Sequence, residues 1–146
     1  MGILMKVFDI KVYDNFDVIF CLALCKTKQE MIRQFKKIRP KEDISNVNGI
    51  FLAADYLTHD NFPGNFKSNV FGTIYMNLET LSDEIIVHEC GHAAFCFERN
   101  IRRHTGNFDG EYCANGTGEE EEVFCYFLEN AFVKVKQKIR EYQKHG

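Results

Sequence analysis

The chain has 146 residues, 45% hydrophobic and 14% aromatic, which is enough apolar side chain for one core and too little length for a second, so residues 1–146 are expected to form a single compact domain. A net charge of −3, with basic residues spread through 28–41 and 134–144 among acids and apolar residues, leaves no nucleic-acid footprint. The apolar run Val18 to Cys25 is far short of a membrane span, and residues 1–11 lack the layout of a signal peptide, so a cytoplasmic chain engaging neither nucleic acid nor membrane is expected.

Lys6–Tyr13 and Asp17–Cys25 read as strands around the turn-like Asp14-Asn15, and Thr27 caps a helix that ends at Ile38, before Pro40. After a polar loop, Gly49–Leu57 and Asn69–Leu78 have strand character, and the turn formers of 58–65 between them predict a hairpin. Phe71–Leu78 is expected beside the next helix, at a sheet edge where an extended peptide can add as a strand. Cys21, Cys25, Cys90, Cys96, Cys113 and Cys125 sit mostly in apolar segments without a C-x-x-C pair, so free thiols are expected.

The segment Leu81 to Arg99 reads as a helix containing His88-Glu89-Cys90-Gly91-His92. Residues four apart on a helix lie about 40° apart around its axis, so the two imidazoles converge on one point and suit a zinc ion. Glu89, on the flank of the same face, can accept a proton from water activated there without being a ligand. Ile86, Cys90, Ala93 and Phe97 fall on one side of this helix and Ile85, His88, His92 and Phe95 on the other, which predicts a buried helix whose imidazoles need a partner.

Two histidines leave a catalytic zinc one protein ligand short. A third histidine in the metzincin pattern is excluded, because Phe95 and Glu98 stand at the required positions. His104, Asp109 and Cys113 lie in the Gly- and Asn-containing loop 100–118, where nothing fixes a ligand. Thr117 and Glu120 form a capping box that starts a last helix near Gly118 and carries it through Val123–Tyr142. On that helix Tyr126, Glu129 and Val133 fall within about 40° of Glu122, flanking the stripe Cys125, Leu128, Phe132 and Val135, while Glu121 lies nearer the stripe's centre. The wheel admits both acids as the ligand, with Glu122 modestly ahead.

The HExxH helix followed by Glu122, Cys125, Phe127 and Glu129 on a later helix resembles the gluzincin metallopeptidases, whose ligand Glu is followed by a small residue at +3, an aromatic near +5 and, in the aminopeptidase branch, an acid at +7. It is also similar to the small HExxH proteins of bacterial and phage genomes, in which the same two helices follow a short sheet. The likeness covers the order of elements over about residues 69–133, with specific identity at roughly ten positions; residues 1–68 match no family pattern. Glu121 replaces the Asn that precedes the ligand in aminopeptidases, and the Gly-x-Met-Glu-Asn element is missing, which argues against aminopeptidase activity. Tyr112, Tyr126 and His104 are the candidates for an oxyanion donor.

What the resemblance and the motif imply together is an α+β fold, a short mainly antiparallel sheet packed against an HExxH helix and a C-terminal ligand helix. The implied function is zinc-dependent hydrolysis of a peptide or protein substrate, with His88, His92 and Glu122 on Zn2+, Glu89 as general base and Glu129 orienting a ligand. Two rivals differ in kind. One is a catalytically silent or regulatory metal-binding protein acting on a macromolecular partner. The other is a deformylase-like amidase with Cys113 as thiolate ligand, although in deformylases that Cys precedes the HExxH helix.

Overall fold

Two strands are apolar on nearly every residue, and this decides the sheet. In the computed structural model, which describes residues 5–13, 18–53, 70–102 and 119–145, β2 (Ile19–Cys25) and β4 (Val70–Asn77) are buried along almost their whole length. Strands covered on both faces belong in the middle of a sheet. They pair in parallel, with Leu22 opposite Ile74 and Leu24 opposite Met76. β1 (Met5–Ile10) adds antiparallel to β2, and β3 (Gly49–Ala53) antiparallel to β4, giving the order β1-β2-β4-β3.

The two outer pairings are antiparallel, as expected, and the central one is parallel, so the sheet is mixed. A parallel pair needs a crossover, and the chain between β2 and β4 contains α1 (Lys28–Lys36) and β3. The antiparallel pairing expected of the third and fourth strands is present. The expected edge position of Phe71–Leu78 is not, because β4 has β2 on one side and β3 on the other. The edges are β1 and β3.

Both faces of the sheet are covered. On one, Ala23, Cys25 and Tyr75 meet Met31 and Phe35 of α1, with Ile44 beside them, and Phe35 packs edge-on to Tyr75 at 5.6 Å between ring centroids. On the other, Phe20, Leu22, Leu24, Phe71, Ile74 and Met76 lie in one cluster with residues of α2 (Asp83–Cys96) and α3 (Glu119–His145). Phe127 of α3 joins the layers, its ring 6.0 Å from Phe71 and stacked 4.6 Å from Phe97. Gly72 makes room for this face: a Cβ there would collide with the Phe51 ring.

Local chemistry sets the helix limits. Thr27 caps α1, its hydroxyl accepting from the Glu30 backbone N–H at 3.1 Å, and Ser82 caps α2 by accepting from Ile85 N–H at 3.2 Å. At its far end α2 widens into a π-helical turn, Phe97–Arg102. Along α3 the buried side chains Val123, Phe127, Ala131, Val135, Ile139 and Tyr142 recur every three or four residues, the stripe of an amphipathic helix. α3 packs against α2 in the opposite direction, since Asp83 bridges to Lys136 at 2.8 Å while Phe97 stacks on Phe127.

No disulfide joins the cysteines at 21, 25, 90, 96 and 125, and Cys113 lies outside the described residues. Among the described residues no helix is long and apolar enough to cross a membrane.

Candidate metal centre

α2 presents three different sides. Asp83, Ile86 and Phe97 face α3, through the Lys136 bridge, a shared cavity with Ile139 and the Phe127 stack. Ile85 and Glu89 face β3, where both lie against Gly49. His88 and His92 occupy the remaining, exposed side. The expected burial of both imidazoles is thus corrected: apolar residues do surround the helix, but Phe95 is 54% exposed beside the histidines, so the apolar pattern overstated how much of α2 is covered.

The histidines are nevertheless arranged together. Their Nε2 atoms are 3.2 Å apart, and the rings are edge to face at 82°. Two nitrogens bound tetrahedrally to zinc at about 2.0–2.1 Å stand about 3.3 Å from each other, so the pair has the spacing a zinc ion needs. Burial and the neighbouring His88 charge hold the His92 pKa below its usual value, which favours the neutral imidazole a metal requires.

Glu89 is the buried member, 4% exposed. Its Oε1 has no hydrogen-bond partner, although a buried carboxylate oxygen normally finds one. Burial raises the Glu89 pKa, against the lowering effects of His88 and of the Phe51 backbone N–H. A carboxylate held this way, with one oxygen uncommitted beside two imidazoles, is equipped to take up a proton. The two imidazole nitrogens suit a divalent metal as a pair, and Glu89 does not join them as a third donor.

A cleft of about 350 Å³ opens at this point, lined by Asn46, Val47, Asn48, Gly49, Glu84, Ile85, His88 and Glu89. Its floor is Gly49, where an added Cβ would stand 3.1 Å from Glu89 Cγ and 3.2 Å from Ile85 Cγ2. Gly49 and Glu84 were missed from sequence. A glycine opening an otherwise apolar strand is a signal of close approach, whereas Glu84 offered none beyond first-turn charge.

The structure brings His88, Glu89 and His92 together and does not bring Glu122 to them. Among the described residues no group of three His, Cys, Asp or Glu side chains is placed to hold a metal ion. The Asp83–Lys136 and Phe97–Phe127 contacts bracket the level of the histidines on α3 between Phe127 and Lys136, and Glu122 lies beyond that bracket. By helical geometry the side of α2 that meets α3 is also roughly 160° around the axis from the two histidines. Glu121, Glu122 and Glu129 are exposed. Tyr126 is half-exposed on the same helix; His104, Asp109, Tyr112, Cys113 and the Thr117 cap lie outside the described residues.

No protein-family model matches the chain, and neither a curated protein nor a solved structure is similar to it.

Proposed function

We propose that the protein is a zinc-dependent hydrolase of peptide bonds, with His88 and His92 as metal ligands and Glu89 as general base. The observation that carries this reading is the 3.2 Å separation of the two Nε2 atoms beside a buried carboxylate oxygen that nothing else engages. The gluzincin-like order of elements adds to it. What zinc supplies when bound is Lewis acidity toward the attacking water and the scissile carbonyl.

The chain's own residues do the rest. Glu89 accepts the proton of the attacking water and passes it to the leaving amine, a task helped by burial, which raises its pKa. The Phe51 backbone N–H of β3 holds the carboxyl, and Gly49 leaves room for its Cγ. Among the described strands the edge beside the site is β3 rather than β4, and the cleft beside His88 and Glu89 takes one substrate side chain. Among the described residues Glu122 forms no three-residue donor group with the histidines. The loop candidates His104, Asp109 and Cys113 are the ones to vary.

Hydrolysis of a mixed peptide library by wild type and Glu89→Gln, both loaded with zinc, tests the reading. Cleavage by the wild type that disappears in the variant is expected. Equal cleavage by both, or none by the loaded wild type, would overturn it.

A further inference from the structure

The outward face of α3 is self-complementary. At 100° per residue, Glu122, Tyr126, Glu129 and Val133, continuing through Gln137, Arg140 and Lys144, fall within about 80° of arc, opposite the buried stripe Val123, Phe127, Ala131 and Val135. All seven are exposed, with Tyr126 at 42% and Val133 at 49%. Positions equidistant from Val133 match in kind: Glu122 with Lys144, Tyr126 with Arg140, Glu129 with Gln137. The lysines at 136 and 138, off this arc, are already paired with Asp83 and Glu141.

We propose that this face binds a second copy of the chain, the two α3 helices lying antiparallel across a twofold axis at Val133. In that arrangement Glu122 meets Lys144 of the partner subunit, and Tyr126 lies under Arg140 of the partner subunit, a cation over an aromatic face. Val133 meets Val133 of the partner subunit on the axis, which removes an exposed apolar side chain from water. The helix dipole explains acids at the first turn and bases at the last. It does not explain the two apolar side chains, Tyr126 and Val133, exposed between them. The arc lies opposite the buried stripe of α3, with Arg140 at its margin beside Ser82 and Asp83 of α2.

A contact made by one helix from each copy is smaller than a standard stable interface. The dimer is therefore reversible with concentration and weakened by salt, which screens the Glu122–Lys144 pairs. This inference stands independently of the metal reading.

Sedimentation velocity of the purified full-length chain over a concentration series tests it. Wild type is expected to pass from monomer to dimer by about 100 µM, and V133D, which puts two like charges on the axis, to remain monomeric with unchanged far-UV circular dichroism. E122K alone and K144E alone should each weaken the dimer about tenfold, because each sets like charges opposite one another. Mixed in equal amounts, they should restore it as a heterodimer. A wild type that stays monomeric, or a V133D that dimerises like wild type, would overturn the proposal. So would a mixture no tighter than either variant alone.

Discussion

Gly49 and Glu89 are in direct contact across the junction of β3 and α2: a Cβ on Gly49 would come within 3.1 Å of Glu89 Cγ, and within 3.3 Å of the Tyr75 carbonyl oxygen. The contact seats the acid between the edge strand and the histidines. Gly49→Val should therefore cost about 1–3 kcal/mol of stability through overpacking. If Glu89 is the group displaced, Glu89→Ala added to Gly49→Val should recover part of that loss. A double-mutant cycle by denaturant unfolding measures it, and strictly additive effects would show that Glu89 does not feel the added side chain.

Glu89→Gln should retain fold and zinc content while losing hydrolysis, since the amide fills the same space but cannot take a proton. In the zinc-free protein the substitution should leave the melting temperature unchanged or raise it, because it replaces an acid whose charge is disfavoured by burial. A fall of more than about 1 kcal/mol would point to a structural role for the carboxylate.

Glu121→Gln and Glu122→Gln should both bind zinc as wild type does, and each should change stability by no more than about 1 kcal/mol through the helix dipole. Their place on α3, beyond the Phe97–Phe127 contact, is the reason. Calorimetric zinc titration of the two variants checks this, and loss of affinity in Glu122→Gln alone would restore the gluzincin register expected from sequence.

Glu30 governs part of the acid limb of stability. Its carboxylate accepts from Arg33 at 2.7 Å and from Gln34 at 2.5 Å, and these bonds hold its pKa below the usual 4.5. A carboxyl depressed in the folded state contributes stability that is present above its unfolded pKa and lost as pH falls through its folded value. Melting temperatures from about pH 6 down to pH 2.5 should fall less steeply for Glu30→Gln than for wild type. Parallel curves would remove Glu30 from the account.

Much of this fold was legible because its signals are local. Thr27 capped the first helix as its sequence context implied, and the β-branched and aromatic runs marked β2, β3 and β4, with ends displaced by a few residues. The pairing of β2 with β4 was not legible, since partner choice between non-consecutive strands is a tertiary outcome that no short window encodes. That is also why Phe71–Leu78 was placed at the edge. In the site, the i, i+4 spacing alone brought His88 to His92. Glu122 depended on how α3 crosses α2, which resemblance carried over and helical periodicity did not determine. Phe95 misled in the same way: its apolar character fits the wheel of a buried helix, yet it is exposed, with the Arg99 guanidinium 5.1 Å from its ring centre.

Zinc titration by isothermal calorimetry of wild type, His88→Ala and His92→Ala asks whether the two imidazoles hold a metal ion. One zinc per wild-type chain is expected, with a rise in melting temperature on zinc addition, and both tight binding and that rise should be lost in either variant. A wild type that binds no stoichiometric zinc, or alanine variants that bind it as tightly as wild type, would contradict a metal site there.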